Sequence, residues 1–280
     1  MLNISELKNL SIKIRKHAIN MTNAGKSSHV GSILSIADII TVLYGSVMNF
    51  RPSEPKWPDR DRLILSKGHA GAGIYSILAE MGFMKLEKLK SHCMNGSDLS
   101  GHVSHKGIPG VELSTGSLGH GLSVAAGMSL ASKINNKNYK TFVLMSDGEC
   151  NEGSVWEAAL FANHHKLDNL ISIIDRNKLQ SIHSTEETLK LEPLLDKWKA
   201  FGWNVVKVDG HNFEEIQKSL INYDKGKPLC LIAETIKGKG ISFMENNNLW
   251  HYRSPQDEEY EAAITELDNT AIIELENKDA

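Results

Sequence analysis

A doubly wound parallel α/β sheet flanked by helices is the fold class this sequence predicts, on three observations. Short apolar runs rich in β-branched residues recur at Leu63–Leu65, Phe142–Met145, Leu170–Ile174, Trp203–Val208 and Pro228–Thr235, each bounded by turn residues. That is the pattern of strands buried on both faces. Helix-like segments separate the runs, and such alternation argues for parallel pairing. Third, the runs end in polar or glycine-containing tips: Ser66 to His69, Ser146 to Gly148, Asn177, Asp209 to His211, and a long loop from Lys237 to His251. Ligands in such sheets bind beyond the C-terminal strand ends. One crowded edge holding one large site is therefore expected.

In chain order, a helix is predicted over Ser5–Met21, with Leu7, Leu10, Ile12, Ile14 and Ile19 as its apolar positions. A Gly/Ser loop, Ala24–Ser32, carries His29. A second helix over Ile33–Val47 is apolar nearly all round, so deep burial is expected. The stretch Arg51–Arg62 holds three prolines and reads as a surface loop. The strand at Leu63–Leu65 leads through Ser66–Ala70 into a helix over Gly71–Met81. A long loop then passes Gly101-His102 and Pro109-Gly110 to reach Ser114–Gly121, which opens a helix of small residues. The glycines there fall as GxxGxG and do not follow the first strand, so the dinucleotide fingerprint is not met. Next come a strand–helix–strand unit over Phe142–Ile174 with its helix at Ser154–His165, and helices over Glu192–Gly202 and Phe213–Tyr223. Trp156 and Phe161 are expected in the core. The reading divides the chain into a domain at 1–255 and an acidic, helix-prone tail at 256–280, ordered at least in part against a partner.

Composition narrows the function. A formal charge of −3 over 280 residues provides no basic face of the kind nucleic acid requires. No run is long enough to span a bilayer, and the first twenty residues lack the apolar core of a signal peptide. The three cysteines, Cys93, Cys150 and Cys230, are far apart and form no CxxC pair, which argues against zinc or a disulfide framework and for a reducing, cytoplasmic setting.

The central unit carries the chemistry. Asp147 and Asn177 stand at the ends of successive strands and so can meet one ligand. A carboxylate and an amide carbonyl are hard oxygen donors. Mg²⁺ takes few such protein oxygens and completes its shell with water and substrate phosphates. Gly148 permits a tight turn and close approach of a phosphate, and the helix that follows offers free N–H groups to an anion. A diphosphate held through Mg²⁺ fits these residues.

The stretch from Ser146-Asp147-Gly148 to Asn177-Lys178-Leu179 resembles the thiamine-diphosphate motif of transketolases. Asn177 follows Asp147 by 30 residues, close to the family spacing. Ser146 stands where the family usually has glycine; being small, it should be tolerated. The resemblance extends from Ala24 to His251, over the diphosphate-binding part of that enzyme. It is carried by SSHVGS, SKGHA, SGH, LSTGSLGHG and KGKGISFMENNNLWH. It implies His29, His69, His102 and His251 as catalytic histidines, with Glu152 as an acid near the partner's catalytic glutamate. It implies cofactor contacts from His69, Gly116, Ser117, Leu118, Asp147, Gly148, Glu149, Asn177 and His251. Asp147, Asn177 and the backbone carbonyl of Leu179 would hold Mg²⁺, or Ca²⁺ or Mn²⁺ in its place.

The implied activity is transfer of a two-carbon ketol unit from a ketose to an aldose acceptor. The family's pyrimidine-binding and C-terminal domains are expected on a separate partner chain, in an α2β2 heterotetramer acting on sugars or sugar phosphates. The alternatives are another thiamine-diphosphate lyase or synthase acting on a modified sugar, or a Mg²⁺-dependent phosphohydrolase. His105, His120, His164, His165, His183 and His211 are assigned no catalytic role, and His102-Val-Ser-His105 lacks the third ligand of a metal site.

Overall fold

A computed structural model describes residues 1–279, with side chains through Glu274; Ala280, the last residue of the predicted tail, lies outside the described residues. Its elements run α1 (Ile4–Ala24), α2 (Val30–Ser35), α3 (Ala37–Val42), β1 (Arg62–Leu65), α4 (Gly71–Glu80), α5 (Gly121–Ile134), β2 (Thr141–Ser146), α6 (Gly153–His164) and β3 (Leu170–Arg176). They continue with α7 (Thr185–Thr188), α8 (Leu194–Ala200), β4 (Asn204–Asp209), α9 (Phe213–Ile221), β5 (Leu229–Glu234) and α10 (Asp257–Asp279). The five strands are all parallel, in the order β1-β2-β3-β5-β4.

The period-two alternation of side chains builds two cores, one per sheet face. Leu63, Phe142, Leu144, Ile171, Ile173, Leu229 and Leu231 pack against α1, α3, α4 and α9. Ile64, Val143, Met145, Leu170, Ile174, Cys230 and Ile232 face α5, α6 and α8. Register then fixes the site edge. Ser146 is level with Asp175, and Arg176 with Glu234. Asp147, Asn177 and the segment after Glu234 therefore emerge side by side.

Three expectations are corrected. The single helix over Ile33–Val47 is broken: α2 ends at Ser35, α3 starts at Ala37, and a π turn covers Leu43–Val47. The break lets Ser35 donate to Asp175 while Asp38 meets Arg15. The acidic tail packs on this chain itself, as α10 along α1, with Ala263 and Leu267 buried beside Ile12 and Ile19. Apolar contact carries that packing, since exposed pairs such as Lys8–Glu274 contribute little. Phe161 is 41% exposed and lies against His165, whereas Trp156, half-buried, stacks on Phe201 and packs against the core.

Candidate functional site

Where the strand ends meet, a cavity of about 290 Å³ opens, and ten of the residues singled out from sequence line it. They are His29, His69, His102, Gly116, Leu118, Asp147, Gly148, Asn177, Leu179 and His251. No one element supplies them; they come from six separate stretches, at His29, His69, 102–118, 147–148, 177–179 and His251, that meet at one edge.

One wall is acidic and amidic. Asp147 is buried and accepts from Gly148 N at 2.8 Å, Lys178 N at 2.7 Å and the Arg176 guanidinium at 3.1 Å. Burial, helped by the neighbouring Asp175, raises its carboxyl above the ordinary value despite Arg176. A cation at its surface would reverse that penalty. Behind it Asp175 is fully buried and paired with Lys67. It also accepts from the Asn177 amide at 2.9 Å. That bond commits the Asn177 Nδ2 inward and leaves Oδ1 for the cavity side, where among the described residues it accepts only from Leu179 N at 3.1 Å. Two hard oxygens at one wall form a donor set suited to a small divalent cation. Above Gly148 lies Gln180, whose buried Nε2 has no acceptor among the described residues. A buried donor without a partner is costly, and an anionic oxygen in the cavity would satisfy it. On both counts the residues fit a metal-bound diphosphate.

The other wall is a histidine cluster. The His29 ring lies 5.1 Å from His69, 5.5 Å from His102 and 4.8 Å from His251, centre to centre. His29 sits in the left-handed region (φ 73°), held there by its N–H bond to the His251 carbonyl at 2.8 Å. Burial, then His102, Lys237 and Lys67, lower the His29 pKa to about 4. Burial and Lys237 lower His251 to about 3, and His69, the most enclosed of them, falls well below its ordinary value. These three rings are therefore neutral near pH 7. Lys237 Nζ lies 3.1 Å from His251 Nδ1. An ammonium can only donate, so His251 carries its proton on Nε2.

Three predicted contacts do not line the cavity. Glu149 is fully buried and faces inward, accepting from Ser66 Oγ, Gly119 N and Ser146 N. It ties the Gly119 loop to the ends of β1 and β2, and its assignment as a cofactor contact rested on the resemblance. Ser117 is exposed at the rim. Glu152 is exposed at the start of α6, against Gly119. Sequence reasoning missed Lys67, Asp175 and Lys237 as members of the site. Lys67 and Lys237 lie inside stretches already singled out, and a lysine flanked by glycine at a strand tip was the available signal. Ser32, Ser146, Gln180, Ser181 and Tyr252 also line the cavity; Ser32 and Ser146 lie inside stretches already singled out, and nothing in the local sequence marks the other three.

Residues 7–269 match the family described as transketolase, thiamine diphosphate binding domain. The chain is 44% identical over 270 residues to an apulose-4-phosphate transketolase subunit of Phocaeicola vulgatus, covering 95% of this chain and 96% of that protein. It is 41% identical over 257 residues to the 6-deoxy-6-sulfo-D-fructose transketolase subunit SqwG of a Clostridium species, covering 91% and 94%. Among solved structures, transketolase from Campylobacter jejuni superposes with a TM-score of 0.89 at 32% identity, over 96% of this chain and 43% of that one. The chain thus spans less than half the length of that solved transketolase. No helix among the described residues is long and apolar enough to cross a membrane.

Proposed function

This chain belongs to the transketolase family, in its thiamine-diphosphate-binding domain, and from that premise we propose that it is one subunit of a two-chain, transketolase-type transferase. The reaction is transfer of a two-carbon ketol unit from a ketose, or its phosphate, to an aldose acceptor. The observation that carries the reading is the single cavity with oxygen donors on one wall and neutral histidines on the other. When bound, thiamine diphosphate supplies the carbanion chemistry that the transfer requires.

The chain's own residues do the rest. Asp147, Asn177 Oδ1 and the Leu179 carbonyl hold Mg²⁺, with Ca²⁺ or Mn²⁺ as substitutes. Gln180 gives its Nε2 N–H to the diphosphate, and Gly148, without a side chain, lets the diphosphate approach the turn. His251 donates from Nε2, because Lys237 occupies its other nitrogen. His29, His69 and His102 bond to sugar oxygens and relay protons between donor and acceptor hydroxyls. Glu152, exposed beside Gly119, is available to a residue of the partner.

Relatives named as subunits support the two-chain reading, since they are matched over nearly their whole length. The partner carries the pyrimidine-binding domain, the assembly is α2β2, and its compartment is the cytoplasm, in keeping with three free cysteines. The relatives' names attach different modified sugars to closely similar chains, which supports the partner as the main source of sugar selectivity.

The test is capture of the chain from its host with thiamine diphosphate and Mg²⁺ present, then a ketol-transfer assay of whatever complex is recovered. A co-purifying chain that confers transfer is the expected result. Steady transfer by this chain alone would sink the two-chain reading, and phosphoester hydrolysis without the cofactor would sink the reaction class.

A further inference from the structure

We infer that Asp38, acting through Arg15 and His211, is the anchor that positions Lys237 and thereby orients His251. Gln180 O in the site's wall holds only the tip of Lys237; what fixes its backbone under the histidine ring is a separate question. The answer lies behind it. Asp38 is buried and takes a bidentate pair from Arg15, both contacts at 2.8 Å. Its Oδ2 also meets His211 Nδ1 at 2.7 Å. Each of these two side chains then grips the backbone on one side of Lys237. His211 Nε2 accepts from Ile236 N at 2.9 Å, and Arg15 Nε donates to the Lys239 carbonyl at 2.9 Å.

The hydrogen-bond logic admits one arrangement. Ile236 N–H can only donate, so Nε2 must present a lone pair, which puts the His211 proton on Nδ1, facing the Asp38 carboxylate. The segment 236–239 is therefore bracketed from α1, α3 and the β4 tip at once. Lys237, held between the brackets, reaches Gln180 O at 3.0 Å, Asn248 Oδ1 at 3.3 Å and His251 Nδ1 at 3.1 Å. His211 touches neither the cavity nor its lining, so it is a positioning residue. Its effect on binding rests on the function proposed above; the bracket itself does not.

Two substitutions separate the two bonds of His211. In His211→Asn the amide ends near the place of Nδ1 and keeps the bond to Asp38 but cannot reach Ile236. In His211→Gln the amide oxygen reaches the place of Nε2 and can accept from Ile236. The readout is the ¹⁵N shift of His251 Nδ1 in the full chain without cofactor, which reports whether that nitrogen accepts a hydrogen bond. The Gln variant is expected to keep the wild-type shift and the Asn variant to move toward that of an unpaired ring nitrogen. In the complex, the Asn variant is expected to bind thiamine diphosphate roughly ten- to a hundredfold more weakly, with Gln restoring most of the loss. An unchanged shift in the Asn variant, equal shifts in both, or an Asn variant that fails to fold would overturn the inference. A wild-type complex that binds no thiamine diphosphate would instead sink the proposed function and leave the ¹⁵N comparison standing.

Discussion

Replacing Lys67 with Met tests whether the site rests on a buried ion pair. Lys67 and Asp175 both have side chains with no exposure. Asp175 also accepts from Ser35 at 2.7 Å, from Asn177 at 2.9 Å and from Thr235. Burial pushes the Asp175 carboxyl up, but Lys67 and these hydrogen bonds outweigh it and hold it below the ordinary carboxylate value. Met has the length of Lys without the charge, so Lys67→Met leaves a buried carboxylate facing only neutral donors. Removing one partner of such a pair costs about 3–5 kcal/mol. For 280 residues the unfolding entropy is about 0.6 kcal/mol per kelvin, which makes this a fall in Tm of roughly 5–9 °C.

The pH dependence has a definite sign. A depressed carboxyl gives stability that is present above its unfolded pKa and lost as pH falls through its folded value. In Lys67→Met the loss should begin at higher pH than in the wild type. Urea titration of a double-mutant cycle completes the test. Lys67→Met with Asp175→Asn should recover more than half the single-mutant cost, because no charge is left unpaired. A cost below about 1 kcal/mol for Lys67→Met would mean that the pair behaves like a solvated one and would refute the reasoning.

Asp147→Asn keeps the shape of the metal wall and removes its charge; Mn²⁺ titration followed by electron paramagnetic resonance should show affinity falling about a hundredfold. ¹⁵N titration should find His29 and His251 neutral down to about pH 5, with midpoints near 4 and 3. The linked stability change runs opposite to that of a salt-bridged histidine. The unfolded rings take up protons first, below about 6.5, so stability is lost as pH falls from there toward 4. Lys237, lowered by burial to about 8, should give the His251 Nδ1 signal a second midpoint near that pH as its charged donor becomes the weaker neutral amine. Gly119→Ala should destabilise by about 1–3 kcal/mol in a denaturant melt. Gly119 has φ +84°, and an added Cβ would lie 2.6 Å from Ser154 Oγ and 2.8 Å from Glu152 Cβ.

What could be read from the sequence follows from the range of the interactions. Strands buried on both faces announce themselves locally, and their polar tips come with them, so Asp147, Asn177 and the histidine loops could be placed at one edge before any coordinates. Buried polar partners cannot be read that way. Asp175 lies in an apolar run and looks like its terminator. Its value as the acceptor that turns Asn177 toward the cavity depends on Lys67, 108 positions away. Glu149 shows the converse: the resemblance implies a cofactor contact, yet Ser66 and Gly119 N–H bond its Oε1 and Ser146 N–H its Oε2 within the protein. His211 stands in an Asp-Gly-His turn that reads as a solvated tip, and only the break between α2 and α3 brings Asp38 to it. The histidines that face the cavity and the histidine that holds the loop behind it are the same residue type in the same kind of glycine turn. What separates them is whether both ring nitrogens already have partners inside the protein. His211 has both satisfied and is committed to structure. His251 has one nitrogen satisfied by Lys237 and the other without a partner among the described residues, which is the condition for acting on something else.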